Sequence, residues 1–245
     1  MAQYRLLLEY DGTDYHGWQL QPNARTLQGE LEAALATVLR HPVRVAAAGR
    51  TDAGVHALGQ VVTFRTEHVI EPRELRKSLN ALTPPDMAVH EIDVVADTFD
   101  ARRHALARVY EYRLWTQPWR SAFWHRFTWH VPRALDVRAM RMAASVLAGE
   151  HDFSAFRAAD CDSDGAVRRV FHSGLTEAEG LCVYRIEANA FLKHMVRAIV
   201  GTLVEVGTGQ REAESVGETL ASRDRGQAGQ TAPPQGLVLT AVRYS

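Results

Sequence analysis

Two apolar periodicities alternate along this chain and run through the same order twice, and that order is the strongest limit on what it can fold into. "YRLLLEYDG" (4–12) alternates and stops at Asp11-Gly12, which predicts a strand ending in a turn. In "TLQGELEAALATVLR" (26–40), Leu27, Leu31, Ala34, Leu35, Val38 and Leu39 recur at helical spacing behind Thr26, a suitable N-cap. "VRVAAA" and "ALGQVVTF" read as strands. "EPRELRKSLNAL" reads as a helix with Leu75, Leu79 and Leu82 on one face, ended by Pro84-Pro85, and "MAVHEIDVV" as a strand.

A similar order follows: strand "RVYEYRLW", helix "VRAMRMAASVLAG", strands near 168–177 and 181–190, helix "FLKHMVRAIVGTLVEVG", a short helix near 211–222, and strand "GLVLTAVRYS". The expectation is an α+β protein of two tandem ferredoxin-like, RRM-like halves, residues 1–103 and 104–245, with antiparallel sheets joined around a central cleft. An open sheet face of that kind suits nucleic acid. The halves share pattern, not sequence identity.

Net charge is only −1, but it is unevenly spread. Residues 1–100 carry nine Lys or Arg against fourteen Asp or Glu; residues 101–145 carry nine Arg against only Glu111 and Asp136. A positive band on a near-neutral protein is the footprint a polyanion leaves. Cys161 and Cys182 form no metal or redox spacing, and no secretory signal or membrane-length apolar run occurs, so a soluble protein of the reducing cytoplasm is expected. There is no Walker loop, dinucleotide fingerprint or nucleophile-elbow serine.

Three stretches can carry chemistry. In "AAAGRTDAGVHALGQVVTF" (46–64), Asp52 sits in a bend between Gly49 and Gly54, residues that permit tight backbone and leave room for a ligand. A turn Asp bonding its own backbone is the ordinary reading. Arg50, two residues away, points the same way if the bend is extended. The second stretch, 191–207, is apolar nearly all round, so Arg197 needs an anion or an exit to solvent, with Lys193 one turn earlier on the same face. Arg197 either snorkels at the helix edge or holds a catalytic carboxylate from the other half ionised and oriented. In the third, "FDARRHALARVYEYRLW", Arg102, Arg103, Arg108 and Arg113 interleave with Tyr110, Tyr112 and Trp115. Basic residues grip a backbone and aromatics stack a base, although the same aromatics can equally face a core, the reading preferred for Tyr112.

Taken together, "YDGTDYHGWQ", "GRTDAGVHALGQVVTF", "RVYEY", "GEHDFSAF", "FLKHMVRAIVGTLVEVG" and "AGQTAPPQGLVLTAVRY" resemble the bacterial tRNA pseudouridine synthase A family almost end to end. The resemblance implies an isomerase that converts uridine to pseudouridine at positions 38, 39 and 40 of the tRNA anticodon arm, flipping the target base out. It implies a cytoplasmic homodimer with tRNA as partner, and with no cofactor and no metal. It places the catalytic nucleophile on Asp52, the basic partner on Arg197, the tyrosine beside the target base on Tyr110, and the residue that displaces the nucleotide on Arg50. Arg102, Arg108 and Lys193 are the further expected substrate contacts. Asp100 stands where similar sequences often have His, and Asp162 and Asp164 make one loop more acidic than in relatives. A non-catalytic RNA-binding or RNA-folding protein would share the Arg–aromatic band but not the Asp52 bend. A hydrolase built on Asp52 would lack a partnered base.

Overall fold

The computed structural model describes residues 1–161 and 163–244, so Asp162 lies outside the described residues. The chain forms two compact units, one of residues 1–106 with 239–245 and the other of residues 107–238.

The first unit runs β1 (Ala2–Tyr10), α1 (Leu27–Leu39), β2 (Ala46–Ala47), β3 (His56–Thr66), α2 (Pro72–Leu82) and β4 (Met87–Val95). Its strands lie in the order β4-β1-β3, with β2 on β3, which is the ferredoxin-like order. Both long pairings are antiparallel: Leu6 faces Val62 across β1–β3, and Ile92 across β1–β4. Alternation in β1 buries Tyr4, Leu6, Leu8 and Tyr10 on one face. The α1 leucines Leu27, Leu31, Leu35 and Leu39 and the α2 leucines Leu75 and Leu79 are buried too. Each such side chain contributes roughly 1.5–3 kcal/mol by leaving water. On the opposite face a smaller cluster of Ala48, Val61 and Ala101 packs with Leu7, Val242 and Tyr244. The end of the chain is thereby fastened to this unit, with Tyr244 Oη donating to the Ala101 carbonyl at 2.7 Å.

The second unit contains β5 (Ala107–Trp115), β6 (Trp129–His130), α3 (Val137–Ser145), β7 (Gly149–Asp152), β8 (Val167–Ala178), β9 (Leu181–Ala188), α4 (Met195–Gly207) and α5 (Ser215–Ser222). Strands β5, β9, β8 and β7 follow one another in antiparallel pairing. Strand β10 (Leu237–Arg243) starts at the close of this unit and ends in the first. In α4, eleven of thirteen residues are buried, leaving only Arg197 and Glu205 partly exposed. No helix among the described residues is long and apolar enough to cross a membrane.

Five details depart from the pattern read in the sequence. The strand expected over 43–48 ladders only at Ala46 and Ala47, because the Val45 amide donates instead to Glu32 Oε1 of α1 at 3.1 Å. Leu82, at the last position of α2, is exposed, since the chain turns off at Thr83. Helix α3 stops at Ser145, and β7, absent from the periodicity, follows. Helix α4 starts at Met195, not near Phe191, because His194 takes the left-handed conformation with φ of 63°. Lys193 therefore precedes the helix and does not share a helical face with Arg197.

Glu32 makes the first of these departures testable. Its Oε1 also accepts from Gln28 Nε2 at 2.8 Å, and its Oε2 pairs with Arg44 at 2.9 Å. Glu32→Ala strips the Val45 amide of its acceptor and should cost about 1–3 kcal/mol, read as a lower denaturant midpoint. Glu32→Gln, which keeps an acceptor oxygen, should lose less, and equal midpoints for both variants would contradict the assignment.

Candidate active site

Residues 48–55 connect β2 to β3 and carry Asp52 at their bend. The Val55 amide donates to the Asp52 carbonyl at 3.1 Å, closing a turn in which Gly54 has φ of 75°. Gly49 is not in that left-handed region; its part is to present a carbonyl, which accepts from Gln60 Nε2 at 2.8 Å. Two further anchors sit on Thr51. Its carbonyl accepts from the Trp18 amide at 2.9 Å, and its Oγ1 lies 2.9 Å from Tyr10 Oη. The backbone on both sides of Arg50 is thus fixed, while the Arg50 side chain is exposed.

The stretch 10–18 holds this bend from beside it. A Cβ on Gly12 would fall 2.0 Å from the Val55 carbonyl oxygen, and one on Gly17 would fall 2.9 Å from the Thr51 carbonyl oxygen. Only glycine lets the two backbones approach so closely. The Gly12 amide nitrogen lies 3.0 Å from Nδ1 of buried His56. Asp11 Oδ1, 3.1 Å from the same nitrogen, also receives the Thr13 amide at 3.0 Å. Burial pushes the Tyr10 hydroxyl up to about 12, so it stays a donor at neutral pH. Farther out, Arg25 lies over the Tyr15 ring at 4.2 Å and pairs with Asp86 at 3.2 Å. Burial and the neighbouring Asp86 carboxylate hold the Tyr15 hydroxyl far above its ordinary range. That cluster ties the 10–26 stretch to the start of β4.

Arg102 is also in this unit, exposed on a turn after β4. Its amide and that of Arg103 both donate to Asp100 Oδ1 at 2.8 Å. Those amides, Arg103's first, hold the Asp100 carboxyl below its usual range. Asp100 therefore shapes the turn that presents the two arginines.

In the second unit, four expected residues meet one segment, Asn189–Arg197. Tyr110 of β5 is buried, with its ring edge-on to Phe191 at 5.0 Å between centroids. Arg108, also buried, donates from Nη1 to the Asn189 carbonyl at 2.8 Å. Lys193 Nζ pairs with Asp160 at 2.6 Å, and the Lys193 carbonyl accepts from the Ala158 amide at 3.0 Å. Arg197 Nε donates to the Ala232 carbonyl at 2.8 Å, and the Arg197 carbonyl accepts the Ala232 amide at 3.0 Å. The Nε bond restrains the guanidinium, and the backbone bond holds Ala232 beside the start of α4. Tyr112 is a core residue: fully buried, it donates to the Pro233 carbonyl at 2.7 Å. Burial holds its hydroxyl far above its ordinary range against the charge of Arg197.

Tyr10, Thr51 and Gln60 are not among the site residues read from the sequence. The available signal was polar side chains at inward positions of otherwise apolar strands, "HALGQVVTF" above all.

Comparison with known proteins places this geometry in a family. A family model described as tRNA pseudouridine synthase matches residues 7–102 and 143–245. A tRNA pseudouridine synthase A from Myxococcus xanthus is 50% identical over 245 residues, covering 100% of this chain and 92% of that protein. The enzyme of the same name from Geotalea uraniireducens is 44% identical with both chains fully covered. The one from Syntrophotalea carbinolica is 45% identical, covering 100% of this chain and 97% of the relative. The Asp52 bend and the stretch clasping it fall within the first matched span and the Arg197 helix within the second, and the chain belongs to the tRNA pseudouridine synthase family.

Proposed function

We propose that this protein isomerises uridine to pseudouridine in the anticodon arm of tRNA, at positions 38, 39 and 40, with Asp52 as nucleophile. The observation that carries the reading is the Asp52 bend, fastened at Gly49, Thr51 and Val55 so that the carboxylate-bearing residue cannot drift. Such fixation is what a preorganised reacting group requires.

The reaction breaks the N1–C1′ bond of uridine, rotates the base and joins C1′ to C5. C5 gives up one proton and N1 gains one, so composition is unchanged and neither oxidant nor water is consumed. The target nucleotide must leave its stack, at a cost of a few kcal/mol. Arg50, exposed beside the bend, is suited to fill the space left behind. Tyr110 receives the base, its ring set by Phe191. On the strength of the family likeness Arg197 is the basic residue of the reaction. Arg102, on its Asp100-capped turn, grips phosphate, as does Lys193 beyond its pairing with Asp160. Arg108 serves the same substrate by holding Asn189, and with it the segment that carries Phe191. On the strength of the family likeness the working form is a homodimer in the cytoplasm, with a light-scattering mass of two chains as its check.

The decisive experiment incubates the protein with undermodified tRNA and maps pseudouridine by carbodiimide-stop primer extension. Stops at the three anticodon-arm positions are expected, and a tRNA that is bound but unmodified would leave only an RNA-binding protein. Asp52→Asn should lower the single-turnover rate by at least about 100-fold while tRNA still binds; appreciable activity in a folded variant would refute the assignment. Tyr110→Phe keeps the stacking ring, and a fall in rate at unchanged affinity would show the hydroxyl handling a proton. Binding should weaken with salt, each phosphate held by arginine adding roughly −0.7 to −0.9 to the log–log slope. Removing Arg102 should flatten that slope by about one such step, and an unaltered slope would exclude Arg102 from the RNA contact.

A further inference from the structure

We infer that Gln60 and Tyr10 are positioning residues for the Asp52 bend, acting through a hydrogen-bond chain that ends at Thr51; the inference rests on the reaction proposed above.

Gln60 is wholly buried in β3. Its Nε2 donates to the Gly49 carbonyl at 2.8 Å and to Tyr10 Oη at 3.3 Å. Tyr10 Oη, accepting from Gln60, also bonds to Thr51 Oγ1 at 2.9 Å. The amide cannot be flipped, because Oε1 would then face the Gly49 carbonyl oxygen. One side chain thus reaches the residue before Arg50 directly and the residue before Asp52 through a tyrosine.

The relay has a cost that shows what it is for. With Nε2 committed, Gln60 Oε1 is buried with no hydrogen-bond partner among the described residues. A strand position chosen for stability alone would carry an apolar side chain, since an orphaned buried acceptor is unfavourable. Replacing Gln60 by leucine removes two hydrogen bonds but also removes the orphan. Folding stability and rate should therefore respond differently, which separates a positioning role from a merely structural one. Tyr10→Phe deletes only the relay oxygen and leaves the ring against Trp18, 6.0 Å between centroids.

The test measures single-turnover pseudouridine formation at saturating enzyme, tRNA affinity by filter binding, and the melting temperature, for Gln60→Leu, Tyr10→Phe and the double variant. Each single variant should lose roughly 10- to 100-fold in rate, as a displaced reacting group does. Affinity should stay within about twofold and melting should shift by only a few degrees. The double variant should be no slower than the slower single, because the two residues act as one unit. In Gln60→Glu the carboxylate offers Gly49 no proton, so its rate relative to the parent should rise as pH falls and the buried acid protonates. Folded variants with rates near the parent's, or a loss confined to affinity, would overturn the inference while the reaction itself stood. A parent protein that forms no pseudouridine would instead remove the reaction, and this inference with it.

Discussion

Everything local to the candidate nucleophile depends on two backbones lying closer together than side chains allow. At Gly12 and Gly17 the stretch 10–18 comes against residues 51–55, and a methyl group at either glycine would overlap a carbonyl oxygen. That approach lets the Trp18 amide reach the Thr51 carbonyl and the Gly12 amide reach His56. A bend that would otherwise be a surface loop, free to sample many conformations, is thereby held in one. The charged residue is carried by a rigid support, and the conformational entropy lost in fixing it is met by bonds to glycine and tryptophan backbone.

The second unit solves a related problem with a helix. Helix α4 is almost wholly buried, so its position is set by packing rather than by surface forces. Arg197 stands at its third residue, and the Ala232 carbonyl takes its Nε proton. A guanidinium with one nitrogen assigned in this way has lost much of its rotational freedom before any ligand arrives. The left-handed His194 that delays the helix also frees Phe191 to meet Tyr110 and Lys193 to meet Asp160.

The order of the long strands and helices, the α+β class and the buried faces of α1 and α4 are legible because each rests on a repeating period, whereas the short strands β6 and β7 leave no such period. What was not legible has a common physical cause. Strand β2 is short because a glutamate on α1 captures the Val45 amide, a contact thirteen residues apart that no local pattern encodes. The helix break at His194 is a dihedral choice inside a sequence of good helix formers. Asp52 and Arg50 were visible through their neighbours, whereas Gln60 and Tyr10 looked like ordinary strand residues until folding placed them beside Gly49 and Thr51. Arg108, an expected substrate contact, donates its Nη1 to the Asn189 carbonyl, a bond that no local pattern encodes.

That last point bears on how the positive band should be understood. Charge in a sequence measures supply, not delivery: a guanidinium already bonded within the fold brings less to a phosphate than an exposed one. Arg113 shares its charge with Glu111 at 3.4 Å, and Arg108 is buried against Asn189. Arg102 and Arg103 remain exposed, on a turn whose amides converge on Asp100. Asp100 organises that turn, since its carboxylate accepts two successive amides. The band of nine arginines thus divides by structure into residues bonded within the fold and residues that face solvent.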